Sequence, residues 1–171
     1  MIHIICGNGR GKTTSAVGLL LRATGSGMKT AIFQFLKNGT SSEIRMLEKI
    51  GDITVRYCPE CRTFTSMMTD DEKSQVTARH NIMLSEAEKL ISSRDARLIV
   101  LDEIFAAYNT GFLDRALAEK IVSSCPDDVE LVLTGRGPAP FFCELADYHS
   151  EILAVKHPYE KGIAARKGIE F

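Results

Sequence analysis

The sequence predicts an α/β fold, with a mostly parallel β-sheet of about six strands flanked by helices. Two observations carry this. Short apolar runs rich in β-branched residues recur along the chain, and segments with helical spacing separate most of them. At 171 residues the chain suits one hydrophobic core, so a single domain over residues 1–171 is expected.

The elements follow in order. Ile2 to Cys6 reads as the first strand, and Thr13 to Thr24 as the first helix, ended by Gly25-Ser26-Gly27. Thr30 to Phe35 is the second strand. A helix is expected over Glu43 to Ile50, with Gly51 as its C-terminal cap, because glycine accepts the left-handed conformation that helix ends often need. Ile53 to Tyr57 is the third strand. Thr69 and Glu72 then form a capping box for the clearest helix, on which Val76, His80, Met83, Ala87 and Leu90 share one face. Leu98 to Leu101, Glu130 to Leu133 and Glu151 to Val155 complete the strands, and Asp114 to Ser123 and Phe141 to Asp147 the helices. Strands alternating with helices require right-handed crossovers, which yield parallel pairing and place ligands at the strands' C-terminal ends.

Hydrophobic residues at 44% and charged residues at 25% argue against disorder and fibrous repeats. The net charge of -1 provides no general attraction to nucleic acid or anionic membrane, so neither is expected as a partner. An anionic ligand must be held by a local site. Five cysteines, Cys6, Cys58, Cys61, Cys125 and Cys143, are an odd number without a secretory segment, which implies a reducing compartment and a cytoplasmic location. No apolar stretch approaches transmembrane length.

The strongest motif is Cys6-Gly7-Asn8-Gly9-Arg10-Gly11-Lys12-Thr13-Thr14, between the first strand and the first helix. It matches a phosphate-binding P-loop, with Cys6 in place of the usual first glycine. Gly7, Gly9 and Gly11 let successive N–H groups turn inward and cradle phosphate oxygens at a helix N-terminus. Lys12 adds positive charge, and Thr13 stands where P-loop proteins ligate magnesium. The competing reading is a tight strand-to-helix turn with a solvated Lys12. The expected fold is therefore P-loop NTPase-like, of the RecA-like kind.

Leu98-Ile99-Val100-Leu101-Asp102-Glu103 resembles a Walker B segment: a buried strand ending in paired carboxylates beside the phosphate loop. Asp102 and Glu103 are candidate metal ligands together with Thr13, for Mg2+ or Mn2+. Standing alone, the same segment also reads as a strand leaving the core into an acidic turn.

A P-loop does not name a reaction. The chain, however, resembles the P-loop corrinoid adenosyltransferases through an ordered set of segments. These are residues 7–14, Arg22-Ala23-Thr24-Gly25, Gln34-Phe35-Leu36-Lys37, Leu101-Asp102-Glu103-Ile104 and Leu133-Thr134-Gly135-Arg136-Gly137. Glu144-Leu145-Ala146-Asp147, Val155-Lys156-His157-Pro158-Tyr159 and Lys167-Gly168-Ile169-Glu170 follow. The resemblance implies that ATP and a reduced corrinoid are the substrates, that cobalt(I) takes the adenosyl C5′, and that triphosphate leaves. It also implies a homodimer and an electron-donating reductase. Nucleotide-binding roles fall to Gly7, Asn8, Gly9, Arg10, Gly11, Lys12, Thr13 and Thr14, with Lys12, Glu103 and Arg136 as candidate catalytic residues. Arg136 equally suits pairing with a surface carboxylate, while Arg22 and Lys156 read more simply as solvated charges. A small P-loop kinase or ATPase, and a non-catalytic nucleotide-binding module, are the alternatives.

Relatives often carry a segment ahead of the first strand, and they crowd the corrinoid with aromatic residues, commonly including Trp. This chain starts its first strand at Ile2 and has no Trp. In the stretch from Cys58 to Met68, Phe64 is the candidate corrinoid contact, with Met67 and Met68 as apolar substitutes. Cys58 and Cys61 read first as reduced thiols; half a metal site or a redox pair are the other readings, and the sequence displays no second ligand pair. His80 is expected to be a packed histidine.

Overall fold

The computed structural model describes residues 1–170. Six strands, β1 (Ile2–Cys6), β2 (Thr30–Gln34), β3 (Ile53–Tyr57), β4 (Leu98–Asp102), β5 (Glu130–Thr134) and β6 (Tyr148–Glu151), form one sheet in the order β3-β2-β4-β5-β1-β6. Every pairing is parallel. The order places β5 between β1, which leads into the phosphate loop, and β4, which ends in Asp102.

Alternation along the strands supplies the core. Ala31, Phe33, Ile99, Leu101, Leu131 and Leu133 face one side; Ile32, Leu98, Val100 and Val132 face the other. Because strand side chains point alternately to opposite faces, a sheet covered on both sides needs apolar residues at consecutive positions. All five residues of β2 and of β4 are indeed buried. Full burial of each large apolar side chain contributes roughly 1.5–3 kcal/mol.

Helices α1 (Lys12–Gly25) and α2 (Ser42–Leu47) cover the second face through Ala16, Leu20, Ala23, Ile44 and Leu47. Helices α3 (Asp70–Ser93), α4 (Ile104–Thr110), α5 (Arg115–Ser123) and α6 (Pro140–Leu145) cover the first. The Thr69–Glu72 capping box forms as expected: Glu72 N–H donates to Thr69 Oγ1 at 3.3 Å, and Thr69 N–H to the Glu72 carboxylate at 2.7 Å. Among the described residues, no helix is long and apolar enough to cross a membrane.

Some expectations are corrected. Helix α2 ends at Leu47, and Gly51 does not take a positive φ, so it is no left-handed cap. Helix α6 stops at Leu145 instead of reaching Asp147, whose carboxylate accepts from Ile2 N–H at 2.7 Å. Helix α4 lacked a sequence signal because it is short, with Ile104, Phe105 and Ala107 all buried, so it has no amphipathic stripe to detect.

The last strand is the largest difference. It lies at Tyr148–Glu151, not at Glu151 to Val155, and all four residues are exposed. Pairing to β1 outweighs β-branched composition here: His3 lies opposite Tyr148 and stacks on it, with ring centroids 4.7 Å apart. Past Glu151 the chain turns over the phosphate loop. Ile152 N–H donates to Cys6 O at 2.9 Å, and Gly9 N–H donates to Ile152 O at 2.7 Å. A Cβ at Gly9 would sit 2.7 Å from Leu153 O and 2.8 Å from Ile152 O, so this glycine permits two backbones to touch.

Gly9→Ala is therefore expected to lift residues 152–170 off the phosphate loop. Faster proteolysis of the C-terminal segment, with β1 to β5 still protected from hydrogen exchange, is the expected readout; an unchanged cleavage rate contradicts the contact.

Candidate active site

The phosphate loop connects β1 to α1. Gly7 (φ 105°) and Gly11 (φ 120°) adopt conformations that L side chains rarely take, which is why glycine stands there. Lys12 is only 8% exposed and donates from Nζ to Gly9 O at 3.0 Å, so its ammonium folds back over the loop. Burial holds its pKa below the ordinary lysine value, with the positive charges of Arg136 and Lys37 adding to the effect against Glu103 and Asp102. Asn8 and Thr14 are exposed, and the Arg10 guanidinium donates to Ile169 O at 2.7 Å. Cys6 is buried at the end of β1, its Sγ 3.3 Å from His149 Nε2.

Asp102 is fully buried and carries four hydrogen bonds. Oδ1 accepts from the hydroxyls of Thr13 at 2.9 Å and Thr134 at 2.7 Å. Oδ2 accepts from Lys37 Nζ at 2.7 Å and Gln34 Nε2 at 3.2 Å. Lys37 Nζ also donates to Thr13 Oγ1 at 3.0 Å. Burial works against charge on Lys37, but the attraction of Asp102 and its hydrogen bond outweigh burial and raise the lysine pKa.

Glu103 occupies the left-handed region (φ 60°), a costly place for a residue with a side chain. Its N–H is held by Thr134 Oγ1 at 3.0 Å, so one hydroxyl fixes both carboxylate residues. The Glu103 side chain makes no hydrogen bond among the described residues. Burial, and then the negative charge of Asp102, push its pKa up against Lys37, Lys12 and Arg136. Arg136 follows β5, is exposed, and makes no ion pair among the described residues.

A cleft of about 980 Å³ opens beside these groups, lined by Arg10, Thr13, Thr14 and Lys37 on one side and by Phe64 and Met67 on the other. Phe64 is 81% exposed on its rim. Met68, expected beside it, turns into the core instead and is 6% exposed.

The geometry adds three residues to the motif reading: Lys37, Thr134 and Gln34. Gln34 ends β2, Lys37 follows it and Thr134 ends β5, and a parallel sheet gathers such ends on one edge. The oxygens of Thr13, Asp102 and Glu103 form a donor set of the kind a hard divalent ion takes. The Lys37 ammonium stands between Thr13 and Asp102, however, in the position of a cation. The set fits a divalent ion once Lys37 turns aside.

A glycine cradle on a helix N-terminus, a buried lysine and paired carboxylates across an intervening strand define a P-loop nucleotide-binding protein. The fold is also seen in the KaiC-like protein PH0186 of Pyrococcus horikoshii, with a TM-score of 0.57 at 16% identity, over 89% of this chain and 70% of that one. The chain belongs to the ATP:corrinoid adenosyltransferase BtuR/CobO/CobP family, whose model matches residues 1–171. It is 36% identical to a corrinoid adenosyltransferase of Pseudomonas aeruginosa, over 96% of this chain and 80% of that protein. It is 31% identical to one from Escherichia coli, over 100% of this chain and 85% of that protein. With the corrinoid adenosyltransferase CobA of Salmonella typhimurium it shares 30% identity over the same proportions.

Two stability effects follow. Lys37→Met leaves the Asp102 charge buried without its countercharge, and urea unfolding is expected to lose about 3 kcal/mol; pairing it with Asp102→Asn should restore most of that, and no restoration contradicts the pairing. Glu103, with a raised pKa, contributes stability present at low pH and lost as pH rises through its folded value. Glu103→Gln should therefore raise the melting temperature at neutral pH, the gain vanishing near pH ~4. A gain that is constant with pH contradicts the assignment.

Proposed function

We propose that the chain transfers the 5′-deoxyadenosyl group of ATP to the cobalt(I) centre of a reduced corrinoid, with residues 1–171 acting as one domain. The electron pair of cobalt(I) forms the bond to C5′, the C5′–oxygen bond breaks, and its pair departs on triphosphate. The convergence of Lys12, Lys37 and Arg136, close enough to act on one another, carries this reading, with Lys37 also lining the cleft. The nucleophile has no proton to lose, so the reaction needs no general base. What it needs is stabilisation of a leaving polyanion, which fixed N–H groups and cations supply without reorganising.

In this scheme the N–H groups of residues 7–14 other than Gly9, whose amide is held by Ile152 O, bind the polyphosphate, and Lys12, already disfavoured as a buried cation, gains a partner when the anion arrives. Lys37 turns from Asp102 toward the phosphates. Thr13 and Glu103 would hold magnesium, which neutralises charge on the leaving oxygens. Asp102 orients Thr13 through Oδ1, and its Oδ2, released as Lys37 turns, would complete the oxygen set for the ion. Arg136 reaches the anion from the loop after β5, and Phe64 and Met67 offer the corrinoid an apolar wall. A reductase must supply the cobalt(I).

The test supplies ATP, magnesium and a chemically reduced corrinoid, and follows the light-sensitive alkylcobalt absorbance and the polyphosphate released. Intact triphosphate supports the transfer. Release of ADP favours a kinase or ATPase, and no product at all a binding module. Lys12→Ala is expected to lower turnover by roughly 10²- to 10³-fold with the fold intact. Chelation of the divalent ion should abolish turnover reversibly.

A further inference from the structure

The loop that forms the far wall of the cleft begins at Cys58-Pro59-Glu60-Cys61, and here the fold supplies what the sequence does not display. His80 of α3 lies against both thiols, and the ligand atoms of Cys58, Cys61 and His80 are all within 4.8 Å of one another. All three residues are buried, at 0%, 7% and 0% exposure. We propose that Cys58, Cys61 and His80 form a binding site for a thiophilic divalent cation, of which Zn2+ is the representative, distinct from the oxygen-lined phosphate site.

Three features support it. Cys61 N–H donates to Cys58 O at 3.0 Å, and this turn holds both sulfurs on one side of the loop. The His80 ring is oriented by a backbone carbonyl: Nδ1–H donates to Phe112 O at 2.8 Å, which leaves the Nε2 lone pair toward the thiols. That is how ligating imidazoles are commonly fixed. Cys61 Sγ lies 4.0 Å from Nε2. Ligand atoms around tetrahedral zinc are about 3.5–3.8 Å apart, so closing the site needs a contraction of about 1.3 Å at most. Glu60 Oε2 accepts from the Cys58 thiol at 3.5 Å but lies outside the three-residue cluster.

Nε2 now accepts from Leu36 N–H at 3.1 Å, and a cation competes for that lone pair. Leu36 holds a positive φ of 53° and adjoins Lys37. Occupancy thus touches both walls of the cleft: it anchors the root of the largely exposed segment Arg62 to Met67, and it frees the amide beside Lys37.

The test uses the full chain, corrinoid-free, thiol-reduced and stripped by a chelator, then loaded with Zn2+ or anaerobically with Co2+. One equivalent of zinc should survive gel filtration, and Co2+ should show a thiolate charge-transfer band. Both signals should disappear in Cys61→Ser, checked for folding by circular dichroism, and zinc should protect Cys58 and Cys61 of the unaltered chain from alkylation. Absence of bound ion, retention unchanged in Cys61→Ser, or a Cys58–Cys61 disulfide that resists thiol reductant overturns the site. None of these readouts depends on adenosyl transfer.

Discussion

The Asp102 carboxylate is the group on which the site is assembled. A buried charge is tolerable only when paired and hydrogen-bonded, and Asp102 meets that requirement with partners from four segments: Thr13 on α1, Gln34 on β2, Lys37 beyond β2, and Thr134 on β5. Those segments are brought to one edge by parallel pairing alone. The carboxylate converts that proximity into fixed geometry, because leaving any of its lone pairs unmatched in a dry interior is costly.

The cost of the arrangement is distributed. Glu103 accepts a left-handed backbone and an unpaired, half-buried carboxylate, and Lys12 is held as a depressed cation under its own loop. Lys37 spends its charge on Asp102. Glu103 and Lys12 lack countercharges that a polyanion with a divalent ion would supply together, which is the electrostatic form expected of a site organised before its ligand arrives. The C-terminal segment takes part too: Ile152 lies on Gly9 by backbone contact, and Ile169 receives the Arg10 guanidinium.

Much of this was legible along the chain. The strands β1 to β5 and the long capped helix announce themselves, since burial on two faces demands continuous apolar runs and the Thr69–Glu72 pair marks a helix start. The phosphate loop is equally explicit, because a chain that must cradle phosphate needs glycines at set positions. One edge strand and one short helix were not legible: β6 is exposed on every residue, and α4 has only seven residues, with Ile104, Phe105 and Ala107 buried.

The sequence by itself thus determined the layers, the phosphate loop and the family resemblance, all of which rest on local backbone needs and side-chain periodicity. Only the tertiary structure decided which polar residues meet. Lys37 is 65 residues from Asp102, Thr134 is 32 from it, and His80 is 19 from Cys61. No local pattern marks such partners, because the force that selects them, the penalty for a buried group without a mate, acts only after the sheet has closed around it.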